Sequence, residues 1–245
     1  MKQKYILVFF VSFILIITLI SFFVLSNEKS KNTNNLQHDK INSKIFYLDE
    51  TILNISNNIN NIYLNEVNNK VQNNEINWNN IEKDVLNLYS NWDDIILELN
   101  NSNINNTSLL NFGKILDNLL ISVNAKNKVL ASSNIADLYE LLITYSYNTN
   151  EEMRNTIETK YYLLKSISML DTNNWNLVAE NIKKAEESYY KNIGLIDSNY
   201  YNQTTKNSIY IAIKELENTI SLKNKEVFLK KYKIILQKMN NTIKV

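Results

Sequence analysis

The chain has 245 residues, with 26 basic and 25 acidic side chains, two Gly, one His, and neither Pro nor Cys. So few turn-formers argue against β-sandwiches, barrels and dinucleotide-binding folds, and predict a nearly all-α protein. Zero Cys excludes disulfides, thiolate metal sites and Cys nucleophiles; one His excludes a two-His zinc motif; a net charge of +1 with Arg154 as the single arginine gives no electrostatic basis for nucleic-acid binding.

Lys2 and Lys4 precede an uncharged apolar run from Tyr5 to Leu25. As a helix this run is about 31 Å long, enough to cross a hydrocarbon core. It ends Phe22-Phe23-Val24-Leu25-Ser26, with bulky residues where a signal peptidase requires small ones. The expectation is a cytoplasmic tail over residues 1–4, an uncleaved transmembrane anchor over 5–26 and a polar tether over 27–40. Lys2 and Lys4 favour an inside N-terminus and an extracytoplasmic main domain, although Lys29, Lys31 and Lys40 on the other flank weaken the bias.

From residue 41 onward the apolar residues recur at heptad spacing. Ile45, Leu48, Ile52, Ile55, Ile59 and Ile62 form the first stripe, and Trp78, Ile81, Val85, Leu88, Trp92, Ile95 and Leu99 the second. Further stripes begin at Phe112, Leu138, Met153, Trp175, Ile209 and Phe228. They predict eight amphipathic helices after the anchor. Polar clusters separate them at Asn73-Asn74, Asn100 to Thr107, Asn148 to Asn150, Asp171 to Asn174 and Asp197 to Thr205. Asparagine makes up roughly 18% of the chain against a few per cent ordinarily. That reads as coding bias of an AT-rich genome, so individual Asn residues are given little weight apart from Asn150, which with Glu151-Glu152 after it reads as a helix cap followed by acids in the first turn.

The two halves match at one ungapped offset. Asn77-Trp78-Asn79 falls on Asn174-Trp175-Asn176, and Lys126-Asn127-Lys128 on Lys223-Asn224-Lys225; 175 − 78 and 223 − 126 are both 97. This predicts an internal duplication, with tandem antiparallel four-helix bundles over residues 41–147 and 148–245. An apolar N-terminal span followed by helices opening Asn77-Trp78 and Asn174-Trp175 resembles the single-pass, membrane-anchored helical-bundle proteins of AT-rich Gram-positive bacteria, a family of unknown function. The duplicated bundles are also similar in architecture to imelysin-type proteins. The His-x-x-Glu metal motif of that group is absent, because His38 is followed by Asp39, Lys40 and Ile41.

The heptad positions of Trp78, Trp92 and Trp175 predict core residues. Tyrosines occur as adjacent pairs, which on a helix point about 100° apart, one inward and one toward the rim. Tyr162, Tyr190, Tyr200 and Tyr201 are therefore the candidate aromatic interaction surface. Asp93-Asp94, Glu151-Glu152 and Glu186-Glu187 read as solvated carboxylates, and the Lys-rich segment from Lys223 to Lys244 as the polar face of a helix. No catalytic, metal or cofactor site is expected. The sequence predicts a non-enzymatic, membrane-anchored extracytoplasmic protein with a binding or structural role, whose partners are the membrane and an envelope protein or polymer. A ligand-binding module with an inter-bundle cleft is the alternative, and an envelope hydrolase stands behind it.

Overall fold

A computed structural model describes residues 41–240 apart from 103, 148 and 196–200. The expected tail, anchor and tether lie outside the described residues. Among the described residues there is no strand, and eight helices follow in order: α1 (41–67), α2 (Asn74–Asn100), α3 (Asn106–Asn124), α4 (Lys128–Ser146), α5 (Glu151–Ser168), α6 (Trp175–Ile193), α7 (Gln203–Thr219) and α8 (Lys225–Asn240). None of these is long and apolar enough to cross a membrane. The protein is all-α, and its helices break at the polar clusters where the heptads stop.

Asparagine does far more here than a coding bias would require. The side chains of Asn105, Asn127, Asn150, Asn174, Asn202 and Asn224 each accept a hydrogen bond from a backbone N–H in the first turn of the following helix. Every helix from α3 to α8 is thus capped by an Asn. Replacing such a cap with Ala costs about 1 kcal/mol. Helix exits solve the opposite problem without glycine. Asn69, Lys126, Asn173 and Lys223 hold positive φ, and neither glycine does. At the end of α3, Lys126 N–H donates to Val123 O and Asn127 N–H to Ser122 O, both at 2.8 Å. This pair of bonds satisfies the last-turn carbonyls in the way a C-terminal glycine ordinarily allows. Lys126 accepts a backbone strain of roughly 1–2 kcal/mol to do so.

The helices assemble around α1. Its first stripe, from Ile45 to Ile62, is buried, and so is a second one: Asp49, Leu53, Ser56, Asn60 and Tyr63. A helix buried on two faces must be covered from two directions. Its polar contacts name the covering elements. Asn65 Nδ2 donates to Asn74 Oδ1 of α2 (2.9 Å), and Asp49 accepts from Tyr139 of α4 and from Lys160 of α5. Asn61 Oδ1 accepts from Lys233 of α8 (2.9 Å). α1 therefore touches α5 and α8, which belong to the second expected bundle. α4 and α5, on either side of the expected boundary at 147/148, also run along each other. The residues from Ile41 onward form one compact unit.

Trp78 and Trp92 are buried, as their heptad positions require. Trp92 stacks on Phe112 with ring centroids 4.3 Å apart. Gly113 makes room for it, since a Cβ there would stand 3.4 Å from the indole Nε1. Trp175 is only half-buried and meets Phe228 edge-on at 6.0 Å.

Cutting the chain at residue 147 would take Lys160 and Lys233 away from α1. A fragment of residues 41–147 should consequently melt without cooperativity and expose the second stripe of α1, read by circular dichroism and dye binding. A sharp, reversible melt would show that the first four helices close a core of their own.

Candidate functional site

The tyrosines expected to form one surface are dispersed. Tyr162 is half-buried on α5, with Lys184 of α6 over its ring at 5.9 Å and the Tyr161 ring 4.9 Å away. Tyr190 is exposed on α6 and turns the other way, toward Tyr210 of α7 at 5.7 Å. Tyr201 is no surface residue: it is buried, and its hydroxyl donates to Met239 O at 2.8 Å, satisfying a last-turn carbonyl of α8. Tyr200 lies outside the described residues. Of the three described, Tyr162 and Tyr190 are open to solvent, and they face different neighbours.

The concentrated polar chemistry is inside, along α5. Glu152, Asn155, Thr156, Thr159 and Lys160 are all buried. Their spacing of 3, 4, 7 and 8 residues from Glu152 puts them on one helical face. At one end, Lys160 Nζ donates to Asp49 Oδ2 (2.6 Å) and Tyr139 Oη to Asp49 Oδ1 (2.7 Å). The Lys160 and Asp49 side chains are 1% and 4% exposed. At the other end, Lys206 Nζ of α7 stands 3.3 Å from Glu152 Oε1 and donates to Leu195 O at 2.6 Å. Between them, Asn155 Nδ2 donates to Asn192 Oδ1 (3.0 Å), and Asn192 Nδ2 to Thr156 Oγ1 (3.1 Å). Glu152, expected on a solvated surface, is instead buried at one end of this seam.

Burial is the dominant electrostatic influence on the tyrosines around the seam. It pushes the Tyr139, Tyr189 and Tyr232 hydroxyls well above the ordinary tyrosine range. The negative charge of Asp49 adds to it at Tyr139, and that of Glu152 at Tyr189. Tyr145, buried beneath α3, is pushed up from 10.0 to about 12 by the same cause.

A second charged cluster joins the two Lys-Asn-Lys turns. Lys128 pairs with Glu66 and with Asp171 (3.3 Å), and Lys225 reaches the other oxygen of Asp171 (3.7 Å). Lys126 pairs with Glu75 at 2.7 Å. An open depression of about 400 Å³ beside them is lined by Trp78, Glu66, Lys126 and Lys128. Another of about 510 Å³ lies between α7 and α8, with Ile211, Ala212 and Ile234 among polar neighbours. Between α1, α4 and α5, a cavity of about 10 Å³ is lined by Ser56, Ser132 and four aliphatic residues, room for about one water.

Chemically, the interior carboxylates are engaged. Both Asp49 oxygens have a donor, and Glu152 has Lys206. A general acid or base must reach a substrate proton, and neither group is open to one in this geometry. Among the described residues no group of three or more His, Cys, Asp or Glu side chains is placed to hold a metal ion. Comparison with protein-family models, curated proteins and solved structures yields no match.

Sequence reasoning missed the seam, yet a signal was present. Asp49, Leu53, Ser56, Asn60 and Tyr63 repeat at steps of 4, 3, 4 and 3, and Thr156, Lys160, Leu163 and Ile167 at 4, 3 and 4. Each is a second heptad shadowing the obvious one, the mark of a helix covered on two sides.

Lys160→Met would leave Asp49 charged and unpaired in the interior, at an expected cost of about 3–5 kcal/mol in urea unfolding. Adding Asp49→Asn removes that charge while keeping an acceptor for Tyr139, and should recover most of the loss; an additive double variant would show that the pair is not coupled. A second expectation concerns pH. The buried tyrosines have raised folded-state values, so their contribution is complete below the unfolded value of 10.0 and is lost as pH rises through the folded ones. Ultraviolet titration should therefore resolve two tyrosine classes, the later one ionising only as the helical circular dichroism signal falls. A single class with intact helices would contradict the burial.

Proposed function

We propose that this chain is a membrane-anchored, extracytoplasmic helical-bundle protein that acts by binding, or as a structural module, at the cell envelope. The observation that carries the reading is the uncharged apolar run from Tyr5 to Leu25, long enough to span a bilayer and ending without a small-residue cleavage site. Lys2 and Lys4 favour an inside N-terminus, and the polar stretch to Lys40 reads as a tether. The non-enzymatic part of the reading is supported by the interior carboxylates, each engaged by a lysine.

The helical body is a duplicated four-helix unit, residues 41–147 and 148–245, whose copies share one interior. Supporting this, Ile81, Val85, Leu116, Leu119 and Leu138 are buried, and so are their counterparts 97 residues on: Val178, Ile182, Ile213, Leu216 and Ile235. The two Lys-Asn-Lys turns also agree in detail, with positive φ at Lys126 and Lys223 and an Asn cap immediately after each. A ligand-binding module is the second reading. The open groove between α7 and α8 favours it, at a different place from a cleft between the halves.

Intact-mass analysis of the native protein tests the anchor. The expected result is a chain retaining residues 5–26 that stays with the membrane after alkaline carbonate washing. External protease on spheroplasts should then digest residues 41–245. A mature chain beginning near Asn27, or a helical body shielded from external protease, would overturn the reading.

A further inference from the structure

The outer surface of α2 and α3 carries large aliphatic side chains that the fold does not use. Leu86 and Leu97 on α2 are 48% and 62% exposed, and Leu110 and Ile121 on α3 are 70% and 66% exposed. On each helix the two are 11 residues apart, three turns, so they share one face. The hydrogen bond from the Tyr89 hydroxyl to Asp117 Oδ1 (2.9 Å) and the stacking of Trp92 on Phe112 fix the antiparallel register of the two helices. In that register Leu86 stands level with Ile121, and Leu97 with Leu110. The face is thus two aliphatic pairs about 16 Å apart, separated by a polar band of Tyr89, Asp93, Lys114 and Asp117.

We propose that this face docks a second copy of the chain about a twofold axis through the polar band. Three features select that occupant. First, the arrangement is nearly symmetric in itself, so a twofold rotation lays each aliphatic pair on the opposite pair of the other copy, as a self-complementary interface requires. Second, the charges suit it. Lys114 and Asp93 make no ion pair within the copy among the described residues. The rotation brings the lysine of one copy into the same central band as the acids of the other. Third, the size is sufficient. The α2–α3 pair is about 28 Å long over α3 and roughly 20 Å wide, which buries on the order of 1,000 Å² across two copies, the area a specific interface needs. This inference goes beyond the envelope reading and does not depend on it.

The chain contains no Cys, so a single introduced thiol reports on one contact. The test uses the full chain in detergent micelles and a short bismaleimide. Ser90→Cys lies on the exposed face of α2 near the proposed axis, and Lys183→Cys on exposed α6 is the control. Ser90→Cys should link to a dimer and no further, while the control stays monomeric. Adding Leu97→Glu and Ile121→Glu to Ser90→Cys should lower the linked fraction about tenfold or more, with an unchanged melting temperature because both sites are exposed. Lys114→Glu is an independent second variant, expected to lower linking as well. All variants keep the N-terminal run, so a dimer held by that segment would persist through them. Equal linking at residues 90 and 183, or insensitivity to the glutamates or to Lys114→Glu, would overturn the proposal.

Discussion

The packing of α1, α4 and α5 against one another turns on a buried ion pair. Lys160 and Asp49 meet at 2.6 Å with almost no exposure. Taking two such charges out of water costs several kcal/mol each, and their attraction offsets that only when geometry is good and the remaining lone pairs are satisfied. Tyr139 meets the second condition by occupying the other carboxylate oxygen. Three helices, α1, α4 and α5, must therefore arrive at fixed rotations and heights together. An apolar contact in the same place would tolerate sliding by a turn, because one leucine stripe resembles the next. A charge that can be satisfied at one position only does not. The pair thus adds little to stability compared with a well-packed apolar alternative, but it sets the register of two helical stripes that are otherwise repetitive.

The same logic explains why two halves with matching heptad stripes form one body. Each half has the four amphipathic helices that suffice to close a core. What prevents the halves from separating is the second buried stripe on α1, where Lys160 of α5 meets Asp49 and Lys233 of α8 meets Asn61. Exposing these groups would not unpair them from water, but it would expose Leu53, Tyr63, Leu163 and Ile167 alongside them. At about 25 cal/mol per Å² of apolar surface, burying several such side chains outweighs the freedom gained by separating the halves.

Much of this was legible from residue spacing, and the failures have a common cause. Heptads locate α1 to α8, and the polar clusters locate most of their boundaries, because an amphipathic stripe repeats often enough to stand above noise. Trp78 and Trp92 sit in the core for the same reason. Glu152 and Tyr201 were misplaced because helical periodicity assigns a residue to a face of its own helix, not to what covers that face. Glu152 lies on a polar face that α7 happens to cover. Tyr201 precedes α7, where no periodicity exists to read, and its role is to supply a hydroxyl to the end of α8. Asparagine shows a subtler limit. A bias that enriches one residue everywhere hides five of the six capping positions, all but Asn150 with its two following acids, and only backbone geometry separates those caps from their neighbours.

A chain with two glycines and no proline must also make its turns from residues that resist them. Lys126 and Lys223 adopt the left-handed conformation at a cost that glycine would avoid. Both are followed by an Asn cap and then by a lysine that reaches Asp171. Asp171 lies in the turn after α5, so a single carboxylate ties the α3–α4 and α7–α8 turns to the end of the central helix. Its charge is only partly buried, and each contact taken alone is worth well under 1 kcal/mol. Their value lies in number and placement, since they fix three strained turns at one end of the body. That leaves the interior closed by paired charges and the helix ends tied to one another. Large exposed aliphatic side chains such as Leu86, Leu97 and Leu110 lie away from both, on the outer faces of the helices.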